Sequence, residues 1–175
     1  LVVGSQGSGK TFSIINPAIW QSINKGYGAL IYDFKFPDLS IEASIEASAI
    51  HSIAGVLPAE APLMTRPPFL DPHHSASAVS IVGGGTRSIR PGAMALAHHG
   101  VLFLDEAPEF ASNVLEALRQ PLESGRVLIS RASASASYPA RFQLVLAANP
   151  CPCGYGGSKN GLCQCTPLMS RRYAD

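Results

Sequence analysis

The chain has 175 residues, enough for one domain of ordinary size and too few for two generous ones. Lys plus Arg exceed Asp plus Glu by 13 − 12 = +1, so no strong field draws it to nucleic acid or to an anionic membrane. Charged residues make up 14% and apolar residues 46%, which excludes a disordered chain and permits a real core. So little charge suits a piece of something larger, and Leu1-Val2-Val3 places the first residue inside an apolar, strand-like run.

In chain order, Leu1 to Val3 reads as a short buried strand running into Gly4-Ser5-Gln6-Gly7-Ser8-Gly9-Lys10-Thr11. A helix is expected from Lys10 to about Lys25, with Pro17 as a local blemish. Ala29 to Tyr32 forms a second apolar strand ending at Asp33. Ser40 caps a helix reaching about Ile53, in which Ile41, Ile45 and Ala49 recur at four-residue spacing. The stretch from Gly55 to Pro91 is rich in Pro, Gly and Ser and reads mostly as loop with short structured pieces. A short helix over Gly92 to His99 precedes a buried strand, Val101 to Leu104. Ala111 to Ser124 is an amphipathic helix carrying Val114, Leu115, Leu118 and Leu122. Arg126 to Phe142 alternates around a Ser/Ala tract and suits a hairpin, and Gln143 to Ala148 is a last buried strand ending at Asn149-Pro150. Fully apolar strands separated by helices indicate an α/β fold with a parallel sheet covered on both faces. No apolar run approaches the roughly 20 residues that a bilayer span needs. A reducing cytoplasm is the expected location.

Gly4-x-x-x-x-Gly9-Lys10-Thr11 fits a phosphate-binding loop. Its glycines let the backbone wrap closely, successive N–H groups of residues 4 to 11 point at phosphates, and the following helix N-terminus favours negative charge. Lys10 would reach the β and γ phosphates, and the Thr11 hydroxyl would face Mg²⁺. Val101-Leu102-Phe103-Leu104-Asp105-Glu106 is the natural second half, since an apolar strand delivers two carboxylates to the edge of the sheet where ligands sit. Asp105 would support the Mg²⁺, and Glu106 would polarise the attacking water. Asn149 is open to two readings, an amide holding that water or the γ-phosphate, and a turn residue before Pro150.

All four cysteines lie late in the chain, as Cys151-x-Cys153 and Cys163-x-Cys165 around a glycine-rich loop. Four thiolates could surround Zn²⁺ tetrahedrally; reduced thiols and a disulfide are the alternatives. The doublets His73-His74 and His98-His99 are expected to serve loop hydrogen bonding, because adjacent side chains diverge and seldom chelate one ion. Arg131 and Arg141 flank the Ser/Ala hairpin and suit solvated surface, with DNA or a neighbouring subunit as the other reading.

From about residue 38 to 175 the chain resembles the Mg-chelatase-like AAA+ ATPases of the competence protein ComM (YifB) type. The resemblance rests on Ala49 to Gly55, Arg66-Pro67-Pro68-Phe69, Pro72 to Ser77 and Val82-Gly83-Gly84-Gly85. It continues through Leu96 to Phe110, Leu115 to Gly125, Ile129 to Ala132, Tyr138 to Leu144 and Ala148 to Gly154. It implies a P-loop NTPase sheet with flanking helices, with Asp105-Glu106 as the second nucleotide motif and Asn149 as the first sensor. Arg126 to Phe142 would be the hairpin inserted before that sensor. It also implies ATP and Mg²⁺ as cofactors and a hexameric ring acting on DNA, with branch migration during natural transformation as its work. The related magnesium chelatases use a similar motor for metal insertion into porphyrin.

Residues 1–39, through Ile15-Asn16-Pro17 and Ile31 to Leu39, instead resemble conjugative coupling ATPases of the TraG/VirD4 type. The expected organisation is therefore one incomplete P-loop ATPase domain with a seam near residue 39. Residues 1–39 carry the phosphate loop, 40–150 the AAA+ core and 151–165 the four-cysteine loop. The family's arginine finger and lid domain would follow Arg171-Arg172-Tyr173. A DNA-pumping coupling ATPase and a non-catalytic, zinc-stabilised interaction module are the competing readings.

Overall fold

The computed structural model describes residues 38–85, 88–131, 134–149, 151–156 and 162–174. The phosphate loop Gly4 to Thr11, the expected helix to Lys25 and the strands at 1–3 and 29–32 lie outside the described residues. The described chain forms two compact units, one of residues 38–104 and 110–145, the other of 105–109 and 146–174.

The first unit opens with helix α1, Ile41–Ala54. Ser40 caps it as expected, its hydroxyl accepting from the Ala43 N–H at 3.2 Å. Gly55 ends it in the left-handed region (φ +75), its N–H donating to Ser52 O at 2.9 Å. The buried face is Ser44, Ala47, Ser48 and Ile50, whereas Ile41 is 74% exposed and Ile45 is 56% exposed. The four-residue apolar spacing therefore marks the outward side. The inward side is built of small residues that let the helix approach closely, and buried Ser48 is satisfied by the Met64 N–H at 2.8 Å.

Strand β1, Phe69–Leu70, pairs in parallel with β4, Val101–Leu104, in the register Phe69↔Val101 and Leu70↔Leu102. Between them lie helix α2 (Ala78–Val82), the antiparallel pair β2 (Gly83–Gly84) and β3 (Arg90–Pro91), and helix α3 (Ala93–Leu96). All four β4 residues are buried, as their unbroken apolar run requires of a central strand. Gly100 precedes β4 because a side chain there would run into the Pro68 carbonyl, which accepts from the Val101 N–H at 2.9 Å. Helix α4, Ser112–Ser124, buries Val114, Leu118 and Pro121; Leu122 is 46% exposed, on the outer side. Gly125 (φ +68) then turns the chain into the hairpin of β5 (Arg126–Ser130) and β6 (Ser135–Pro139). Its register runs from Arg126↔Pro139 to Ser130↔Ser135, which points Val127 and Ile129 inward and Leu128 outward.

Strand β7, Gln143–Leu146, lies on the other side of β4, giving the order β1-β4-β7. The Gln143 N–H donates to Gly100 O at 2.9 Å and the Ala107 N–H to Ala147 O at 2.8 Å, so the two chains advance together in parallel. Expected as a buried strand, β7 is only half-buried at Leu144 and Val145 and exposed at both ends, because it ends the strand order among the described residues. Ile50, Ile81, Met94, Leu102, Leu104, Val114, Leu118, Val127 and Ile129 form one core between sheet, helices and hairpin. The architecture is mixed α/β, with a parallel sheet flanked by helices.

The second unit holds the turn after β4, the end of β7, the cysteine segment and helix α5, Pro167–Ala174. The Thr166 hydroxyl accepts from the Met169 N–H at 3.3 Å, and Pro167 takes the first helical position, where its missing N–H costs nothing.

Candidate nucleotide site and two clusters of ligating side chains

Strand β4 ends in the pair of acids that its sequence led to expect. Asp105 and Glu106 are half-buried, and the Glu106 N–H donates to Asp105 Oδ1 at 3.0 Å. Glu106 takes φ +56, the left-handed region that a non-glycine residue enters only when its surroundings hold it there. This turns the chain sharply at the end of the strand, into the short 3₁₀ turn Ala107–Glu109, whose Glu109 N–H donates to Glu106 O at 2.8 Å. The Ala107–Ala147 hydrogen bond ties that turn to the chain leaving β7, and half-buried Asn149 follows two residues later. The acids and the amide thus stand beyond the same ends of neighbouring parallel strands, the edge where α/β sheets bind ligands. Lys10, Thr11 and the loop residues Gly4, Ser5, Gln6, Gly7, Ser8 and Gly9 lie outside the described residues.

The first unit holds a cluster that the sequence alone did not reveal. His98 is 2% exposed; its Nδ1 accepts from the Arg141 N–H at 3.0 Å, which leaves the ring proton on Nε2. That Nε2–H donates to Glu46 Oε2 at 3.0 Å, and His99 Nε2 donates to the same oxygen at 2.7 Å. Contrary to expectation, the adjacent imidazoles converge, with ring centroids 3.9 Å apart. Within this doublet the backbone of His99 takes φ +62, in the left-handed region. Hydrogen bonds from His98 and then His99 hold the Glu46 carboxyl well below its usual range, at about 2. Burial pushes His98 below its ordinary value, against the opposing pull of Glu46. Three ligand-type side chains therefore meet here, yet the proton on His98 Nε2 occupies the lone pair a metal would need. The rings of the other doublet, His73-His74, also converge, tilted by 37° with centroids 4.1 Å apart, and His73 Nδ1 bonds the Ser75 hydroxyl at 2.8 Å.

The four cysteines converge in the second unit. Cys151 Sγ lies 3.3 Å from Cys153 Sγ and 3.7 Å from Cys163 Sγ, and the last two are 3.6 Å apart. With Cys165, all four sulfurs fall within 4.8 Å of one another, none in a disulfide. The Tyr155 backbone N–H, followed by the Cys151 thiol, lowers the Cys153 thiol to about 6. Gly154, at φ +79, turns the chain between these groups, and a side chain there would start 3.8 Å from Asn149 Oδ1.

The family model of the magnesium chelatase subunit ChlI matches residues 1–175. The chain belongs to the magnesium chelatase ChlI family. The uncharacterized protein YifB of Escherichia coli K12 is 45% identical over 174 residues, 99% of this chain and 30% of that protein. The competence protein ComM of Haemophilus influenzae is 57% identical over 107 residues, 61% of this chain and 20% of its own length. An uncharacterized protein of Mycobacterium bovis is 54% identical over 137 residues, 78% of this chain and 27% of its own. The chain therefore spans less than a third of the length of these relatives. The ChlI family match runs unbroken across residue 39, and the coupling-ATPase resemblance of residues 1–39 gains no support. An α/β sheet with flanking helices is consistent with the P-loop NTPase fold of this family. Among the described residues, no helix is long and apolar enough to cross a membrane.

Proposed function

We propose that the chain is the nucleotide-hydrolysing part of one AAA+ motor domain, powered by ATP and Mg²⁺. The reading rests on one observation above the rest, the half-buried Asp105-Glu106 pair held at the end of a fully buried parallel strand by a left-handed turn at Glu106. The donors there are hard carboxylate oxygens, the type Mg²⁺ prefers. Bound Mg²⁺ would neutralise charge developing on the transferred phosphoryl group. Lys10 binds the β and γ phosphates, and Thr11 and Asp105 hold the metal. Glu106 accepts a proton from the attacking water, and the Asn149 amide orients that water or the γ-phosphate.

The motor acts on DNA in the cytoplasm, with branch migration during DNA uptake as its work; the ComM relative, named a competence protein, supports this. A net charge of +1 gives the single chain little hold on a phosphate backbone, so DNA is gripped by an assembled, hexameric ring. In the full-length protein, Glu106→Gln keeps ATP binding and lowers turnover about a hundred- to ten-thousand-fold, the usual worth of a positioned base. Lys10→Ala abolishes ATP binding. Undiminished hydrolysis by Glu106→Gln would remove the assignment.

A further inference from the structure

We propose that Cys151, Cys153, Cys163 and Cys165 close around a single Zn²⁺, which folds the chain that follows Asn149. Zinc–thiolate bonds of about 2.3 Å in a tetrahedron place neighbouring sulfurs ~3.8 Å apart. The edges of the triangle formed by Cys151, Cys153 and Cys163, 3.3, 3.6 and 3.7 Å, are close to that spacing, and the fourth sulfur lies within 4.8 Å of each. These are all four cysteines of the chain, brought together from two pairs ten positions apart.

The donor set selects the metal. Four soft sulfurs exclude Mg²⁺ and Ca²⁺, which take oxygen. An iron–sulfur cluster shares its cysteines among different irons and would hold them farther apart than this. A closed shell of four protein ligands leaves no position for water, so the site is structural, not catalytic. Cys151 is 1% exposed and anchors the knot in the unit, while Cys153 and the Gly154 turn wrap its outer side. Asn149 stands two residues before the first ligand, and Gly154 packs back toward its amide. Metal binding therefore orders the segment from β7 to α5, independently of any nucleotide.

The test is metal analysis of the full-length protein purified under reducing conditions, followed by reloading of the metal-free protein with Zn²⁺ or Co²⁺. One zinc per chain is expected, and the cobalt form shows the visible and sulfur-to-metal charge-transfer bands of a tetrahedral thiolate. Since changes merely behind a metal's ligands cost about 10–100-fold in affinity, Cys163→Ser and Cys165→Ser weaken zinc binding by more than that in chelator competition. The cobalt spectrum of the unaltered protein decides the matter even where a serine variant fails to fold. The proposal is overturned if the reduced protein takes up neither metal, if it carries iron instead, or if folded serine variants keep full zinc affinity. ATP hydrolysis enters none of these readouts.

Discussion

Two groups of ligand-type side chains converge in this molecule, and they differ in what their remaining atoms do. At Glu46, His98 and His99 the groups satisfy one another: a backbone N–H occupies one nitrogen of His98, and both rings donate to a single carboxylate oxygen. At the cysteines, the side chains of Cys151, Cys153 and Cys163 bond one another sulfur to sulfur, backbone N–H groups such as that of Tyr155 also reach them, and hydrogen bonds to sulfur are weak. Convergence within 4.8 Å is common to both clusters. Free lone pairs distinguish a metal site from a hydrogen-bonded brace. The histidine cluster fastens α1 to the turn before β4, and the cysteine cluster gathers a glycine-rich segment with little apolar material of its own.

Removing zinc has the largest expected effect, because structural zinc supplies about 10–16 kcal/mol in small zinc-binding peptides. In hydrogen-exchange measurements, a chelator should abolish protection across residues 151–156 and 162–174 while leaving that around Glu46, His98 and Arg141 intact. Loss of protection in both regions would mean that the clusters do not differ as described.

His98→Ala comes next. It opens a cavity, strands the Arg141 N–H and takes a partner from Glu46, for a cost of about 2–4 kcal/mol in denaturant unfolding. Zinc content should not change. A fall in metal content on this substitution would make the histidines ligands after all.

Acid should act on the histidine brace in two successive steps. Burial lowers the native pKa of His98 below 6.5, so the unfolded chain takes up a proton first and stability falls as pH drops through 6.5. Glu46 is held at about 2 against 4.5, so its contribution is full above 4.5 and disappears as pH falls from there toward 2. Glu46→Gln should erase the second step and keep the first, as followed by thermal melts across pH. His99→Asn should have the smallest effect, a change within about 1 kcal/mol, because Asn tolerates the left-handed backbone and loses only a half-exposed hydrogen bond. A much larger loss would make His99 the keystone of the brace.

Much of this was legible residue by residue. The Ser40 cap, the fully buried β4, the bounds of α4 and the β5–β6 hairpin follow from capping chemistry and from periods of 3.6 and 2. The Thr166-Pro167 start of α5 carries a signature of the same kind, a capping hydroxyl followed by proline at the first helical position. The inward face of α1 was not readable. Its isoleucine spacing is a sound amphipathic signal, but packing chose the small residues opposite, which admit a closer neighbour. Nor was the role of Glu46, an ordinary helix-surface acid until His98, 52 positions away, reaches it.

By itself, the sequence determined which stretches become strand or helix, that two acids end the central strand, and that four cysteines come in close pairs. These are local properties, set by side-chain period, backbone sterics and covalent spacing. Tertiary structure alone decided which of the metal-capable groups keep lone pairs to offer. That depends on contacts between distant segments, such as the Arg141 N–H on His98 and the Glu46 carboxylate that both rings reach. No local pattern encodes them, because the partners lie tens of residues apart in the chain.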